Sequence, residues 1–444
     1  MPGPYVLPIV GDEKIPQRVD VVVIGGGIVG ASTALELAER GHSVALCEKG
    51  GISCEQSSRN WGWVRLSRRD IREMPLMMEA KKIWNGLVER IGRETGYRET
   101  GIVFTAPSEG DQAQNAVYRD QLQSFQVSSN LLSARELKDK YPELDLPLHG
   151  ALSTPSDGRA EPQLAGPAIA LAARERGANI LVECAVRGLE LAAGRVSGVV
   201  TEHGPIACDS VVLAGGAWSN FFARRYGIDI PQLNVTASVL RTNPLEGGPE
   251  EAMWCKDFAL RKRLDGGYTI ASGHENVVDI VPRSFKYMFK YLPALRSDWK
   301  SLNFRISGQF FKDMLDAKQR PLDEASAFEY TRVLDPVPSK KLSDGALNAL
   351  AKHWPVFRHA TIAQRWGGVI DVTPDAIPVI DAAAKVPGLF IATGFSGHGF
   401  GIGPAAGRLM ADLVTGKPPV VDPKAFRLSR FSDGTRIVLS PEHA

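Results

Sequence analysis

Residues 20–49 read DVVVIGGGIVGASTALELAERGHSVALCEK and contain the pattern of a strand, a glycine turn, a helix and a second strand. The run from Val21 to Ile24 is β-branched throughout, as in a parallel strand buried on both faces. Gly25, Gly27 and Gly30 follow with the G-x-G-x-x-G spacing, which allows a tight turn, close approach of a pyrophosphate and helix-on-strand packing. The stretch therefore predicts a dinucleotide site at a helix N-terminus.

A carboxylate closes this unit at the expected place. The second strand, residues 43–47, ends at Glu48, which lies 18 residues beyond Gly30. An acid at this point accepts hydrogen bonds from an adenosine ribose, whereas an NADP site more often has an arginine nearby. The spacing therefore favours a dinucleotide whose adenosine ribose carries no 2′-phosphate.

Composition sets the class of protein. The chain has 444 residues, 44% hydrophobic and 23% charged, with a net charge of +2. These values predict a soluble globular protein of two or three domain-sized units and give no reason to expect nucleic acid as a partner. Five scattered cysteines without a C-x-x-C pair argue against a disulfide framework or a metal site. No spanning apolar run or signal peptide is visible, so a cytoplasmic location is expected.

Later segments read as further regular elements. The pattern predicts a loop at 50–67, helices at 70–91, within 111–140 and up to Gly177, and strands at 97–106, 150–154, 179–203 and 209–214. Antiparallel strands are predicted over 234–273. A last strand, 389–392, runs into five glycines within residues 394–403, and Pro404 suits the first turn of the helix that follows.

The stretch 282–320 differs in composition from the rest. It holds nine Lys or Arg against three Asp, with aromatic side chains interleaved. We expect a solvated helical pair; a lid or a shallow membrane-surface patch is the less favoured alternative.

Four motifs together resemble the FAD-dependent D-amino acid oxidase superfamily, in the branch with glycine oxidase, sarcosine oxidase and D-amino acid dehydrogenase. They are the amino-terminal unit, VVLAGGAWS at 211–219, RWGGVIDVTPDAIPVID at 365–381 and GLFIATGFSGHGFGIGPAAG at 388–407. The resemblance implies an α/β fold with a Rossmann-like FAD-binding domain from residues 18–85, 148–222 and 362–444. It also implies an α+β substrate domain of mixed, largely antiparallel sheet from 86–147 and 223–361.

The same resemblance implies the residues that contact FAD. Those by the adenosine and pyrophosphate are Gly25, Gly26, Gly27, Ile28, Val29, Gly30, Glu48, Lys49, Val186, Ala214, Gly215, Gly216 and Trp218. Those by the phosphates and flavin are Ser57, Ser58, Arg59, Asn60 and Trp61, and those by the isoalloxazine are Gly394, Gly397, His398, Gly399, Phe400 and Gly401.

The chain departs from the family pattern at its substrate anchors. Gly401 replaces the lysine of sarcosine oxidase, and Ile370 replaces the arginine of glycine oxidase. Gly368 matches the cysteine that links the flavin, so the FAD is expected to be non-covalent. A substrate carboxylate must then be held elsewhere, and the candidates are arginines. The candidate catalytic residues are Arg65, Arg261 (with Arg263 as a neighbour), Trp366 and His398, the last as a general base or a group at the flavin edge.

The implied activity is FAD-dependent oxidation of the C–N bond of an amino acid or amine to an imine, by hydride transfer to the flavin, followed by hydrolysis. Oxygen or a quinone or dye-type acceptor would reoxidise the cofactor. Two alternatives stay open: a flavin dehydrogenase of a 2-hydroxy acid or polyol phosphate, and a non-catalytic FAD-binding subunit. The sequence does not choose the amine, its chirality, the acceptor or the oligomeric state.

Overall fold

The structure is a computed structural model that describes residues 3–439, except the side chains of residues 297, 298 and 300. In chain order its strands are β1 (Val21–Ile24), β2 (Val44–Cys47), β3 (Trp63–Val64), β4 (Arg98–Glu99), β5 (Ile102–Ala106), β6 (Asn130–Ser133), β7 (Gly150–Thr154), β8 (Gly158–Arg159), β9 (Asn179–Leu181), β10 (Val186–Ala192), β11 (Arg195–Thr201), β12 (Gly204–Ala207), β13 (Ser210–Leu213), β14 (Leu233–Thr242), β15 (Ala252–Trp254), β16 (Ala259–Lys262), β17 (Tyr268–Ala271), β18 (Asn276–Asp279), β19 (Leu302–Arg305), β20 (Ile362–Val372), β21 (Val379–Ala382) and β22 (Leu389–Thr393). The α-helices are α1 (Ile28–Glu39), α2 (Gln56–Arg59), α3 (Met74–Ile91), α4 (Glu109–Ser124), α5 (Ala134–Lys140), α6 (Pro162–Glu175), α7 (Ser219–Ala223), α8 (Pro282–Asp298), α9 (Gln309–Asp316), α10 (Ala327–Tyr330), α11 (Lys340–His353) and α12 (Gly399–Thr415).

A mostly parallel sheet holds the amino-terminal unit. Its six strands lie in the order β21-β22-β13-β1-β2-β9, and only the β21–β22 pair is antiparallel. All four residues of β1 are buried, as the β-branched run predicts. Helix α1 packs between α6 and α12, and Gly403 and Gly407 of α12 bring the two helices close, because a Cβ at either would press on Ile28 or Ser32.

A ten-stranded mixed sheet forms the second unit. Its order is β19-β18-β14-β17-β16-β15-β5-β7-β6, with β20 paired to β14. Only the β15–β5 and β18–β19 pairs are parallel, so the predicted fold class is confirmed. The long strands β14 and β20 run antiparallel from the pair Leu233–Val372 onward. Two small sheets, β10-β11-β12 and β3-β8-β4, complete the strands. The predicted domain boundaries stay a prediction.

Three local predictions need correction. The segment 50–67 is not only loop, since it contains α2 and β3. The strand predicted at 97–106 is divided into β4 and β5, because Gly101 has φ +84° and turns the chain. Helix α12 begins at Gly399, so Pro404 is inside the helix and not in its first turn. The first turn of α12 is formed by the glycine-rich residues that begin at Gly399.

The basic aromatic stretch contains the expected helical pair, α8 and α9, with the added strand β19 between them. Strand β19 pairs in parallel with β18 at the edge of the mixed sheet. Among the helices of residues 3–439, none has both the length and the apolar composition of a membrane span.

Candidate active site

A cavity of about 1230 Å³ is lined by residues of both large sheets. Its walls are the β1–α1 turn, the segment 51–69, the end of β13, strands β14 and β20, helix α8 and the start of α12. Small-molecule sites usually measure about 300 to 1,000 Å³, so this cavity is larger than the usual range.

The β1–α1 turn forms one end of the cavity. Gly25 has φ +107°, and a Cβ there would collide with the carbonyl of Ala214. A Cβ on Gly27 would lie 3.0 Å from Ser57 Oγ. The N-cap residue of α1 is Gly27, which has no side chain to cap the helix, and Ser57 Oγ from another part of the chain accepts the Ile28 N–H at 2.9 Å. This end therefore offers backbone donors and a positive helix terminus, as a pyrophosphate requires.

Glu48 closes the same end. Its carboxylate accepts the N–H groups of Gly26 (2.7 Å) and Gly50 (2.8 Å) and lines the cavity. Burial raises the pKa of Glu48, although Lys49 and these two N–H groups act in the opposite direction. Each carboxylate oxygen can accept a further hydrogen bond, so the residue fits a ribose diol.

The Lys49 ammonium group is hydrogen-bonded within the protein. Its Nζ donates to Glu55 (2.6 Å) and to the carbonyls of Thr331 and Arg332 (2.8 and 2.9 Å). These contacts join the wall of the cavity to the chain beyond α10, and they occupy the ammonium group.

Helix α2 supplies the next part of the wall. Ser57, Arg59, Asn60 and Trp61 line the cavity. The Arg59 guanidinium donates to Asp335 (2.6 Å) and to the Gly367 carbonyl (2.8 Å), and this fixes α2 against β20.

The β13 end meets the mixed sheet through an aspartate that the sequence did not single out. Asp371 is buried and accepts from Gln56 (2.7 Å), Gln232 (2.6 Å) and the Gly394 N–H (2.8 Å). Gln56 also accepts the Ala217 N–H at 3.1 Å. Asp371 lies within the motif at 365–381, but only long-range contacts show that it joins β20 to β22 and to the β13 turn.

The start of α12 forms the opposite wall. Gly397, His398, Gly399, Phe400 and Gly401 line the cavity. His398 is the N-cap residue but makes no side-chain cap, and the first turn holds no acid. Such a terminus stabilises negative charge, including that of a reduced flavin.

His398 itself is buried beside charged groups. Its Nδ1 lies 3.5 Å from Glu73 Oε1. Burial, and then Arg69 and Arg65, lower the pKa of His398 well below 6.5, although Asp70 acts to raise it. Burial therefore favours the neutral imidazole, and the Glu73 carboxylate faces its Nδ1.

Arg65 lines the cavity beside the ring of Phe104. Its Nη1 donates to the carbonyls of Ser67 and Arg68, and its guanidinium carbon lies 5.5 Å from the centre of the Phe104 ring. Trp61 and Trp63, which line the cavity beside it, meet edge to face at 5.1 Å. Both tryptophans and Arg65 line the cavity, and the role of the two rings as apolar walls around this guanidinium stays a prediction.

Most predicted FAD contacts line the cavity, but four do not: Gly26, Gly30, Ser58 and Gly394. These four support turns beneath the lining. A Cβ on Gly30, for example, would collide with the carbonyl of Gly25.

Arg261 and Trp366 also lie away from the cavity. Arg261 is buried and pairs with both oxygens of Glu161 (2.7 and 3.2 Å), while its Nε donates to the Trp61 carbonyl at 2.6 Å. Trp366 donates to the Arg59 carbonyl at 3.0 Å. Both residues are behind the lining, so a direct contact with substrate, as the sequence suggested, does not agree with their positions. Arg263 is beside Glu161 and Asp265 (3.7 and 3.2 Å) and does not line the cavity either.

The comparisons with known proteins agree with this geometry. Residues 20–413 match the family model described as FAD dependent oxidoreductase, DAO. Mitochondrial sarcosine dehydrogenase of Mus musculus is 25% identical over 99% of this chain and 45% of its own length. Sarcosine oxidase subunit beta of Arthrobacter sp is 23% identical over 94% of this chain and 91% of its own.

A solved structure is more similar still. L-Amino acid deaminase from Proteus myxofaciens, in complex with anthranilate, is 33% identical with a TM-score of 0.92, covering 96% of this chain and 97% of that chain. The chain spans less than half the length of the mitochondrial sarcosine dehydrogenases it matches. The family match over most of its length confirms the resemblance, and the protein belongs to the DAO family of FAD-dependent oxidoreductases.

Proposed function

We propose that the protein oxidises the carbon–nitrogen bond of an amino acid or amine, with non-covalent FAD as the cofactor. The observation that supports this most is the arrangement of one cavity, in which the dinucleotide turn, the uncapped start of α12 and the aromatic-walled Arg65 all take part. The names of the relatives, a sarcosine dehydrogenase, a sarcosine oxidase subunit and an L-amino acid deaminase, support the same class of substrate.

The residues of the cofactor end fit FAD. Glu48 would accept hydrogen bonds from the ribose, the N-terminus of α1 would hold the pyrophosphate, and the start of α12 would lie by the flavin ring. Gly368, in the position of the cysteine that links flavin in a related branch, lines the cavity and offers no thiol. Bound FAD supplies a hydride acceptor for the carbon that bears nitrogen.

The chain itself positions the substrate. Arg65 holds a carboxylate by charge-assisted hydrogen bonds, and Trp61 and Trp63 keep water from that pair. His398 has a lowered pKa and is therefore a weak base. We assign it a hydrogen-bonding role at the flavin edge and expect the amine to reach the cavity in its neutral form.

The test is anaerobic reduction of the flavin. Purified holoprotein is mixed with D- and L-amino acids, N-methylated amino acids and simple amines, and bleaching of the flavin is followed together with release of ammonia or a free amine. Parallel samples receive 2-hydroxy acids and polyol phosphates. Reduction by nitrogen compounds with amine release supports the proposal. Reduction by hydroxy compounds alone, or by nothing, would overturn it and leave a flavin dehydrogenase of another class or a non-catalytic subunit.

The acceptor is decided by a second measurement. Reoxidation of the reduced protein by oxygen, followed in stopped flow and compared with a soluble quinone or dye, separates an oxidase from a dehydrogenase.

A further inference from the structure

Arg68 has an unusual backbone conformation in the wall of the cavity. Its φ is +48°, in the left-handed region that side-chain-bearing residues seldom adopt. Neighbouring groups hold this turn. The Asp157 carboxylate accepts the N–H groups of Leu66 (2.6 Å) and Ser67 (3.3 Å), and Arg65 donates to the carbonyls of Ser67 and Arg68. Left-handed residues held by their surroundings are typical of ligand sites.

The Arg68 guanidinium lies among three aromatic rings. Its carbon is 4.9 Å from the centre of Phe104, 5.2 Å from Trp254 and 5.4 Å from Tyr118, and its Nη2 donates to Asn115 Oδ1 at 2.9 Å. Arg68 and all three rings line the cavity. The three rings and Asn115 therefore hold the guanidinium in the wall of the cavity.

Two guanidinium groups contact the same ring. Arg65 lies 5.5 Å from the Phe104 centre, and Arg68 lies 4.9 Å from it. An acid, Asp111, also lines the cavity from α4, where it accepts from Ser108 Oγ at 2.5 Å in the helix cap. Because the walls around the arginines are apolar, the attraction of each guanidinium for an anion is stronger than it is in water.

We propose that Arg68 determines substrate specificity by binding a second carboxylate, so that the preferred substrate is a dicarboxylic amino acid or amine. Arg65 then takes the carboxylate next to the reacting carbon, and Arg68 takes the one at the end of the side chain. This inference rests on the proposed function and names its substrate class.

The experiment compares substrates that differ only in the second carboxylate. Both enantiomers of glutamate and glutamine, and of aspartate and asparagine, are tested for anaerobic flavin reduction by the wild type and by Arg68→Gly. Glycine is chosen because it tolerates a positive φ, so the loop is preserved. Gln126→Gly is the matched control, since Gln126 is an exposed residue with φ +61° outside the cavity. We expect the ratio of the flavin-reduction rate constant to the dissociation constant to favour the dicarboxylic member by at least about tenfold in the wild type and the control, and Arg68→Gly to bring this preference to about one.

A binding measurement makes the result independent of turnover. Glutarate, which has two carboxylates, is expected to raise the Tm of the wild-type holoprotein more than butyrate does, and Arg68→Gly should abolish the difference. Equal flavin reduction by the dicarboxylic substrates and their amide counterparts would overturn the inference and leave the proposed function in place. If no nitrogen compound reduces the flavin, the proposed function fails. The Tm shift with glutarate then tests the dicarboxylate site by itself. A Tm shift that Arg68→Gly abolishes supports the site, and no Tm shift, or an equal Tm shift in both proteins, overturns it.

Discussion

Single residues decide what the cavity can hold, and the glycines of the β1–α1 turn show this most directly. We predict that Gly27→Val loses nearly all bound FAD. A Cβ at this position already reaches 3.0 Å from Ser57 Oγ, and the two methyl groups of valine extend into the space of the pyrophosphate. The ratio of flavin to protein absorbance measures the effect. Gly86→Val is the control, because a Cβ on Gly86 meets open space on α3. Full flavin content in Gly27→Val would show that the cofactor lies elsewhere.

Arg65 gives a prediction about substrate binding. We expect Arg65→Ala to raise the KM of a carboxylate-bearing substrate by at least about tenfold, the loss of a charge-assisted pair of about 1.5 to 3 kcal/mol, with flavin content kept. Because Arg65 also donates to the carbonyls of Ser67 and Arg68, the variant is compared on the decarboxylated analogue of the same substrate. A similar loss on that analogue would assign Arg65 a structural role, and an unchanged KM on both would remove it from the site.

His398 gives a pH prediction. Its pKa in the folded state lies well below 6.5, mainly because the imidazole is buried. Below pH 6.5, His398 is therefore protonated in the unfolded chain but stays neutral in the folded chain. Stability is therefore lost as pH falls, by about 1.4 kcal/mol for this one group between pH 7.5 and 5.5. Urea unfolding of the apoprotein at both pH values, in wild type and His398→Gln, isolates the contribution. We expect the variant to lose less stability on acidification; equal losses would contradict a neutral buried imidazole.

At the scale of elements, a buried ion pair joins α8 to α9. Arg283 at its first turn donates to Asp313 of α9 through Nε (2.8 Å) and Nη2 (2.7 Å), and to the Gln232 carbonyl at 3.2 Å. The two side chains are only 5% and 2% exposed. The pair therefore fastens α8 and α9 together beside β14, and α8 in turn contributes Phe285, Met288 and Tyr291 to the cavity wall.

We predict that Arg283→Ala lowers the free energy of unfolding by about 3 to 5 kcal/mol, because it leaves the Asp313 carboxylate buried without its partner. Protease cleavage within residues 299–320 should rise in parallel. Lys286→Ala is the control on the same helix: its pair with Asp229 is about half exposed, and such pairs contribute about 0 to 1 kcal/mol. Equal sensitivity of the two variants would show that the buried pair does not hold the helices.

At the scale of the whole molecule, the cavity proposed to hold the cofactor is lined by residues of both large sheets. The lining residues come from the β1–α1 turn and β13 on one side and from β14 and β20 on the other, and Asp371 ties these parts together. A ligand that contacts both units stabilises the folded state as a whole.

We therefore predict that FAD raises the Tm of the apoprotein. At about a hundred times Kd the gain is about 2.7 kcal/mol, which should appear as a shift of several degrees in thermal unfolding. Acid precipitation should release FAD, and not FMN or NAD, into the supernatant, because Gly368 offers no thiol. A Tm that is independent of FAD, or flavin that stays on the precipitated chain, would contradict a non-covalent site between the sheets.

The sequence alone determined the parts of the molecule whose signals are local. The β-branched run at 21–24, the glycine spacing after it and Glu48 all lie within one βαβ unit. Their side-chain periods and φ requirements are properties of a few neighbouring residues. Hence the fold class and the family could be predicted before any contact was known.

Only the tertiary structure decided which polar side chains face the cavity. Arg261 and Arg65 are both arginines near aromatic residues in the sequence, yet Glu161, a hundred residues away, turns Arg261 from the cavity. Asp371 and Asp157 act on partners 315 and 91 residues distant. The direction of a long charged side chain depends on the partner that satisfies it when it is buried, and that partner is chosen by the pairing of strands far apart in the chain. The periodicity of neighbouring residues carries no information about such distant partners. The positions of Arg261, Asp371 and Asp157 therefore follow only from the tertiary structure.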